Sequence, residues 1–353
     1  MKKSILHLVL DKALSTKRPH DTKSTRDFTI WLWDNLPAHL RDDAMIDQAG
    51  NLHVDSRTDI NQTTLFVAHV DTVHKTTGKN RIRKTRSHWH ADGDVLGADD
   101  GAGVAMLMHL IHAGIPAYYI FTQGEEKGGI GAKHLTDDHA ELLAQFDRAI
   151  AFDRRGIDSI ITHQGWGRCC SDQFGSALCD AIGEIDFDLM HLNDDSGVYT
   201  DTAEFVDIIP ECTNISIGYD KEHTQTESLN IIYFNRLAIA CAGIRWDDLP
   251  VVRDPAIRES LAFDGFWQDS HEYDSNEFYN ALLDARYGHH RPMVDLVAQY
   301  VHPDDPVLMA RHLNPYQVNL RTIDQMLDEI DSMPDTDIES HIYRLADDMY
   351  SHS

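Results

Sequence analysis

The chain has 353 residues, a formal net charge of −27 and five cysteines. This length allows one large core or two smaller ones, and the acidity excludes the Lys/Arg surface that a nucleic-acid partner requires. We find no apolar run of about 18 residues, no signal-peptide cleavage site and no paired cysteine motif. These features predict a cytoplasmic protein with reduced thiols and no membrane contact.

The first predicted elements are a helix and a buried strand. Phe28, Trp31 and Leu32 recur at helical spacing and predict a helix over residues 27–36. The stretch 63–70 is almost continuously apolar, which is typical of a strand covered on both faces.

Strands and helices then alternate along the chain. Such alternation predicts an α/β fold with a mixed, largely parallel sheet covered by helices on both faces. The expected elements are a helix from Gly103, a strand over 117–122, a helix over 132–146, strands over 149–152, 157–163 and 211–217, and a closing helix over 229–244.

The C-terminal part has a different character. Residues 246–353 contain 22 Asp/Glu, 7 Arg and no Lys, and a helical stripe begins at Ile323. We therefore predict two domains: a catalytic domain over residues 1–247, and an acidic, mostly helical extension over 248–353. Lid, oligomer contact and partner surface are the roles left open for this extension.

Five residues of metal-binding type stand in order at or near the ends of the predicted strands: His69, Asp99, Glu126, Asp153 and His223. Open α/β sheets place ligands at the carboxyl ends of their strands, so these residues can converge although they are distant in sequence. Imidazole and carboxylate without thiolate suit a catalytic zinc or a related divalent ion.

Two pairs of residues that are close in sequence, His69 with Asp71 and Glu125 with Glu126, refine this hypothesis. Asp71 follows His69 by two residues and can accept the second ring N–H of the histidine, which fixes its tautomer. Glu125 and Glu126 are adjacent like charges, which are costly unless cations neutralise them. One glutamate can bind metal while the other acts as general base towards water.

The chain resembles the co-catalytic di-zinc aminopeptidase and carboxypeptidase superfamily, including the single-domain bacterial leucyl aminopeptidases and tripeptide aminopeptidase. The matching motifs lie between about residues 25 and 245. They are His69-Val-Asp71-Thr, Gly97-Ala-Asp99-Asp100-Gly-Ala-Gly103, Gly124-Glu125-Glu126, Asp153 and Glu222-His223-Thr224.

The resemblance implies a role for each matching residue. Asp99 would bridge two zinc ions, with His69 and Asp153 completing one site and Glu126 and His223 the other. Glu125 would be the general base that activates a metal-bridging water, and the Asp99–Asp100 peptide bond would be cis. Co²⁺ and Mn²⁺ remain alternatives to zinc.

Three further residues are candidates with a structural alternative. Tyr199 falls where single-domain relatives often have a tyrosine that donates to the developing oxyanion, and otherwise it would be a core residue. Arg154 and Arg155 follow Asp153 directly and could bind a substrate carboxylate, although a structural ion pair is the commoner role. The other histidines, including His74 and His109, show no partner pattern, and we interpret them as surface or packing residues.

The spacing of the motifs argues against an inserted domain. Only 30 residues separate His69 from Asp99 and only 70 separate Asp153 from His223. We therefore predict an uninterrupted zinc-peptidase domain.

The predicted function is hydrolysis of peptide bonds, most specifically as an aminopeptidase acting on short peptides. A carboxypeptidase, a dipeptidase and an N-acyl-amino-acid deacylase share every metal ligand and stay open as alternatives. Outside enzymes, the alternative is an inactive metal-binding scaffold whose acidic extension is the working surface. The presence of Glu125 disfavours this alternative, because a scaffold needs no general base.

Overall fold

The computed structural model describes residues 4–164 and 167–257 of the chain. These residues fall within one compact unit, Met1–Glu259. The helical stripe predicted near Ile323 lies outside the described residues. None of the described helices has the length and apolar character that crossing a bilayer requires.

An eight-stranded sheet forms the centre of this unit. In chain order its strands are β1 Met45–Ile46, β2 Leu52–Asp55, β3 Thr64–His69, β4 Tyr118–Thr122, β5 Arg148–Arg154, β6 Ser159–Ile161, β7 Leu192–Asp194 and β8 Glu211–Ser216. Their spatial order is β7–β6–β8–β5–β3–β4–β2–β1, and β8, β5, β3 and β4 run parallel to one another. The mixed, largely parallel sheet confirms the predicted fold class.

Helices cover both faces of the sheet. The helices are α1 Ile5–Leu14, α2 Lys23–Asp34, α3 Ala38–Arg41, α4 Ala98–Ala113, α5 Ile130–Asp138, α6 Ala140–Leu143, α7 Asp172–Ile185 and α8 Ile231–Cys241. One face of the sheet packs against α1, α2, α4, α7 and α8, and the other packs against α5, α6 and a short 3-10 helix, Asp201–Phe205. All five cysteines are free.

The register of the parallel strands aligns their carboxyl ends. His69 of β3 pairs with Thr122 of β4, and Val67 of β3 pairs with Ala151 of β5. The residues that follow these positions therefore lie along one edge of the sheet, as the sequence predicts. Asp153 lies within β5 itself rather than after it.

A second, four-stranded antiparallel sheet adds a loop to this edge. Its strands run in the order Tyr219–Asp220, Ser228–Asn230, His88–Ala91 and Ile82–Lys84. The loop between the first two carries His223. This sheet was not predicted from the sequence.

Some helix predictions differ from the structure. The helix expected over 132–146 is divided into α5 and α6 at His139, whose ψ of 26° interrupts the helix. Helix α7 was not predicted, although Phe174, Leu178 and Ile182 form its buried stripe.

The segment that follows α8 packs against the amino ends of the parallel strands. The ring of Trp246 is buried edge-on against Phe66, with ring centroids 5.0 Å apart. Asp247 accepts hydrogen bonds from Thr63 N (2.9 Å) and from the Thr64 hydroxyl (2.7 Å), at the start of β3. This attachment continues past the boundary expected near residue 247, because the main-chain N–H of Arg253 donates to Glu211 over 3.0 Å.

Candidate metal centre

His69 is a buried residue at the end of β3. Its Nε2 lies 3.0 Å from Asp99 Oδ1 and 3.7 Å from Asp153 Oδ1. Its Nδ1 lies 3.1 Å from the main-chain oxygen of Asp71 and 3.6 Å from the Asp71 carboxylate. The main-chain oxygen, rather than the expected carboxylate, is therefore the nearer acceptor for the second ring N–H.

The Asp71 carboxylate instead holds the loop that contains the paired glutamates. Asp71 Oδ1 accepts from Gly124 N at 2.8 Å and from Glu125 N at 3.3 Å. Gly124 has a φ of +73°, and a Cβ there would stand 2.7 Å from the His20 ring. Glycine is thus required for this turn, which directs Glu125 and Glu126 towards the sheet edge.

Asp99 and Asp100 begin α4 with non-helical dihedral angles, and their peptide bond is cis, as the resemblance implies. Asp100 points inward: its carboxylate accepts from His69 N at 3.1 Å and from Gly103 N at 2.9 Å. Asp99 faces the opposite way, towards both histidines. The two neighbouring aspartates therefore have different tasks, one structural and one facing the centre.

Glu227 fixes the turn that presents Asp99. Its buried carboxylate accepts four main-chain N–H groups, from Leu96 (2.9 Å), Gly97 (3.0 Å), Ala98 (2.7 Å) and Asp99 (3.2 Å). Glu227 was not predicted from the sequence, because a single glutamate just before a short strand carries no recognisable spacing.

Hydrogen bonds from neighbouring residues hold Asp153 close to His69. Its Oδ2 accepts from the Thr200 hydroxyl at 2.7 Å, and its Oδ1 accepts from the Tyr219 hydroxyl at 3.0 Å. Asn214 of β8 brackets its main chain with two bonds of 2.7 Å. These bonds fix the direction of the carboxylate before any ligand binds.

His223 reaches the centre from the small sheet. Its Nε2 lies 3.0 Å from Asp99 Oδ2 and 3.1 Å from Glu126 Oε2. Its φ of +62° is in the left-handed region, which is uncommon for a residue with a side chain. Such a conformation is found mainly at functional sites, where the surrounding structure holds it.

The five predicted ligands form two groups that share one carboxylate. His69, Asp99 and Asp153 form the first, and Asp99, Glu126 and His223 form the second; within each group the ligand atoms lie within 4.8 Å of one another. Glu126 Oε1 is buried without a hydrogen-bond partner in the described part of the chain. An orphaned carboxylate oxygen beside imidazole nitrogens is what a divalent metal site offers, so these residues fit two ions.

The electrostatics of the centre also favour cations. Burial, followed by the charge of Asp99, raises the pKa of Glu126 to about 7, and burial raises the pKa of Glu125 well above its usual range. Burial and the charge of Asp99 raise the pKa of Asp153. Bound divalent ions are the largest local charges in such a site and would keep these groups ionised.

A buried arginine, not predicted from the sequence, offsets part of the negative charge around the centre. Arg18 is 0% exposed; its Nε donates to Val70 O at 2.7 Å, and its guanidinium lies over the Phe28 ring at 4.7 Å. Burial lowers its pKa to about 10, against the opposing charges of Asp71, Asp100 and Glu227. It stays a cation near neutral pH.

Tyr199 lies beside the loop of the paired glutamates. Its hydroxyl donates to Glu204 Oε1 at 2.9 Å, and a Cβ on Gly129 would stand 1.8 Å from that hydroxyl. Burial, with the charges of Asp201, Glu204 and Glu125, raises its pKa above the usual range. The tyrosine is therefore a protonated donor at neutral pH.

Both candidate arginines are in ion pairs with carboxylates of the chain. Arg154 Nη2 lies 3.4 Å from Asp194 Oδ2, and Arg155 Nη1 lies 3.3 Å from Glu222 Oε1. The structure thus favours the structural alternative for these two residues over capture of a substrate carboxylate.

We expect Glu227→Gln to lower the free energy of unfolding by about 2–4 kcal/mol at pH 8, because the amide NH₂ faces donors and leaves main-chain N–H groups unpaired. Urea unfolding of the variant against the wild type measures this loss. Glu184→Gln, an exposed change on α7, is the matched control and should unfold as the wild type does. Equal midpoints for Glu227→Gln and the control would contradict the assigned role of Glu227.

The chain matches the model of one protein family and is similar in fold to solved structures. A family model described as peptidase family M28 matches residues 51–232. The aminopeptidase PepT from Bacillus cereus is similar in structure, with 15% identity, a TM-score of 0.54, and coverage of 69% of this chain and 97% of that one. No curated protein matches the chain.

Two further solved structures are similar. A tripeptidase from Staphylococcus aureus has 16% identity and a TM-score of 0.55, with coverage of 69% of this chain and 97% of that one. An aminopeptidase from the archaeon Desulfurococcus kamchatkensis has 14% identity and a TM-score of 0.51, with coverage of 68% and 93%. At these identities the likeness establishes the fold alone.

Proposed function

The chain belongs to peptidase family M28 and is a metallopeptidase, and we propose that it removes the N-terminal residue from short peptides with two zinc ions. His69, Asp99 and Asp153 would hold one ion, and Asp99, Glu126 and His223 the other. The observation that carries this proposal is the pair of ligand groups that share Asp99.

When bound, the ions would polarise the scissile carbonyl and lower the pKa of a water molecule towards about 7. Glu125 takes the proton of the attacking water and delivers it to the leaving amine. Asp71 positions Glu125 through the main-chain N–H bonds that it accepts. Tyr199 is the proposed donor to the developing oxyanion; its hydroxyl is protonated, and its one proton would turn from Glu204 Oε1 to the oxyanion.

Two observations favour an aminopeptidase over a carboxypeptidase. Arg154 and Arg155 are each in an ion pair with a carboxylate of the chain, which makes them weaker anchors for a substrate carboxylate. Glu222 Oε2, next to His223, is buried without a hydrogen-bond partner in the described residues, and a carboxylate suits a protonated α-amine. The names of the similar structures, an aminopeptidase and a tripeptidase, point the same way.

Tripeptides with free or blocked ends test the direction of cleavage. We expect a free tripeptide and its C-terminal amide to lose the N-terminal residue, and the N-acetylated tripeptide to stay intact, because only the first two offer the α-amine. Mass spectrometry of the products measures this. Release of the C-terminal residue, or of acetate, would instead support a carboxypeptidase or a deacylase.

We also propose that residues 248–353 form an extension to an uninterrupted catalytic domain, as a lid, an oligomer contact or a partner surface. The described residues up to Arg253 attach to the catalytic sheet, so a truncation that tests this division should begin after Ile257. We place the reaction in the cytoplasm, which the five free cysteines support.

A further inference from the structure

A second cluster of metal-ligand type lies at the end of the sheet that carries β1. Asp47 follows β1, His134 is on α5, and His139 separates α5 from α6. One ligand atom from each residue lies within 4.8 Å of the other two. None of the three belongs to the peptidase centre.

His134 presents an electron pair to the interior of this cluster. Its Nδ1 lies 2.8 Å from Asp138 Oδ2, so Nδ1 carries the proton that this hydrogen bond needs. In the neutral ring Nε2 is then an acceptor, and this atom is buried without a hydrogen-bond partner in the described residues. It faces Asp47 Oδ2 at 3.9 Å, which is too long for a hydrogen bond.

Asp47 is an anion held in one orientation. Its Oδ2 accepts from Asn51 Nδ2 at 2.7 Å and from His53 Nε2 at 3.1 Å, and its Oδ1 accepts from Asn51 N at 2.9 Å. Burial acts to raise its pKa, but the bonds from His53 and Asn51 outweigh burial and keep the pKa below its usual range. The unpaired Nε2 of His134 thus faces an anionic oxygen, and a cation between the two atoms would stabilise this arrangement.

We propose that Asp47, His134 and His139 bind one divalent transition-metal ion of the zinc type, separate from the peptidase centre. Two imidazoles and one carboxylate are a common zinc ligand set, with water in the fourth position, and four residues between two histidines is a usual zinc spacing. Ligand atoms around tetrahedral zinc stand roughly 3.3–3.5 Å apart. A small adjustment of the 3.9 Å separation would reach this value. The bond from His134 to Asp138 is the outer-shell contact that metal-bound histidines usually make.

The ion would connect two elements of the fold. It joins the turn after β1 to α5, the helix that follows the paired-glutamate loop. Asn51, in that same turn, also accepts from Gln123 N at 3.0 Å and donates to Gly131 O at 3.1 Å, at the two ends of the loop. An ion here would fix the frame of the loop without touching the reacting atoms.

Zinc-loaded crystals of the full chain, measured with anomalous diffraction at the zinc edge, test the site directly. We expect one peak between Asp47, His134 and His139, apart from the peaks at the peptidase centre. Peaks at the peptidase centre alone would overturn this inference and leave the proposed function untouched. A peak here with none beside Asp99 would contradict the proposed function only.

Variants provide an independent readout in solution. His134→Gln and His139→Gln should each lose about one zinc per chain of the three expected, measured by metal analysis after dialysis, and keep most of the wild-type kcat. His39→Gln, an exposed change on α3, is the control and should keep all the zinc. Unchanged zinc content in both variants would overturn the inference. NMR of the wild-type protein would overturn it as well if the His134 ring were doubly protonated at pH 7, because an imidazolium would then stand in place of the ion.

Discussion

Glu125→Gln is expected to lower kcat by about 10²–10⁴-fold while the fold and the zinc content stay those of the wild type. The loss corresponds to roughly 3–5 kcal/mol in the activation barrier. The amide keeps the volume and can still hydrogen-bond to water, but it cannot accept a proton at neutral pH. KM should change much less, because the substrate is bound by the pocket and the metals.

Glu126→Gln is the matched control, one residue along the same turn. Glu126 lies 3.1 Å from His223 and belongs to the second ligand group, so its variant should lose metal as well as activity. Metal analysis and steady-state kinetics on both variants separate the two roles. A Glu125→Gln protein with full zinc and near-normal kcat would transfer the role of general base to another residue.

Asp99→Ala is expected to abolish activity and to release both catalytic metals together, because both ligand groups contain this carboxylate. The Glu227 bonds to the main chain of the turn do not depend on the Asp99 side chain, so the fold should remain. Metal analysis after dialysis measures the loss, and circular dichroism checks the fold.

Single-site variants give the comparison for Asp99→Ala. His69→Ala should weaken mainly the ion held with Asp153, and His223→Ala mainly the ion held with Glu126. If Asp99→Ala retained both ions, Asp99 would not be the bridging ligand. The third ion that we infer at Asp47 should remain bound in all three variants, which separates the two centres by stoichiometry.

The residues at the strand ends were predictable because each strand is recognised from a short apolar run, and parallel strands end at the same edge of a sheet. Continuous apolar runs identify the parallel strands, and parallel strands end at one edge, so His69 and Asp153 had to be neighbours. The pairing of β3 with β4 likewise brings the paired glutamates to that edge.

The residues that support the metal centre from outside the ligand groups were not predictable in the same way. Glu227 and Arg18 act through main-chain groups far away in sequence, and a single buried charge has no spacing to recognise. The division of α5 from α6 depends on the backbone dihedral angles of His139, which helix periodicity does not encode. The spacing between His134 and His139 was readable, but it meant little until Asp47 was known to lie beside them.

The two proposed positions at the peptidase centre differ sharply in their access to solvent. The side chains of His69 and Asp153 are 1% and 7% exposed, whereas that of His223 is 50% exposed. An ion beside His223 can exchange with the medium, while an ion beside His69 must pass the outer one or wait for the protein to open. The inner ion would then be the metal that was available when the chain folded, because it exchanges slowly. The outer ion would be the metal present in the medium during catalysis, so one molecule can carry two different elements.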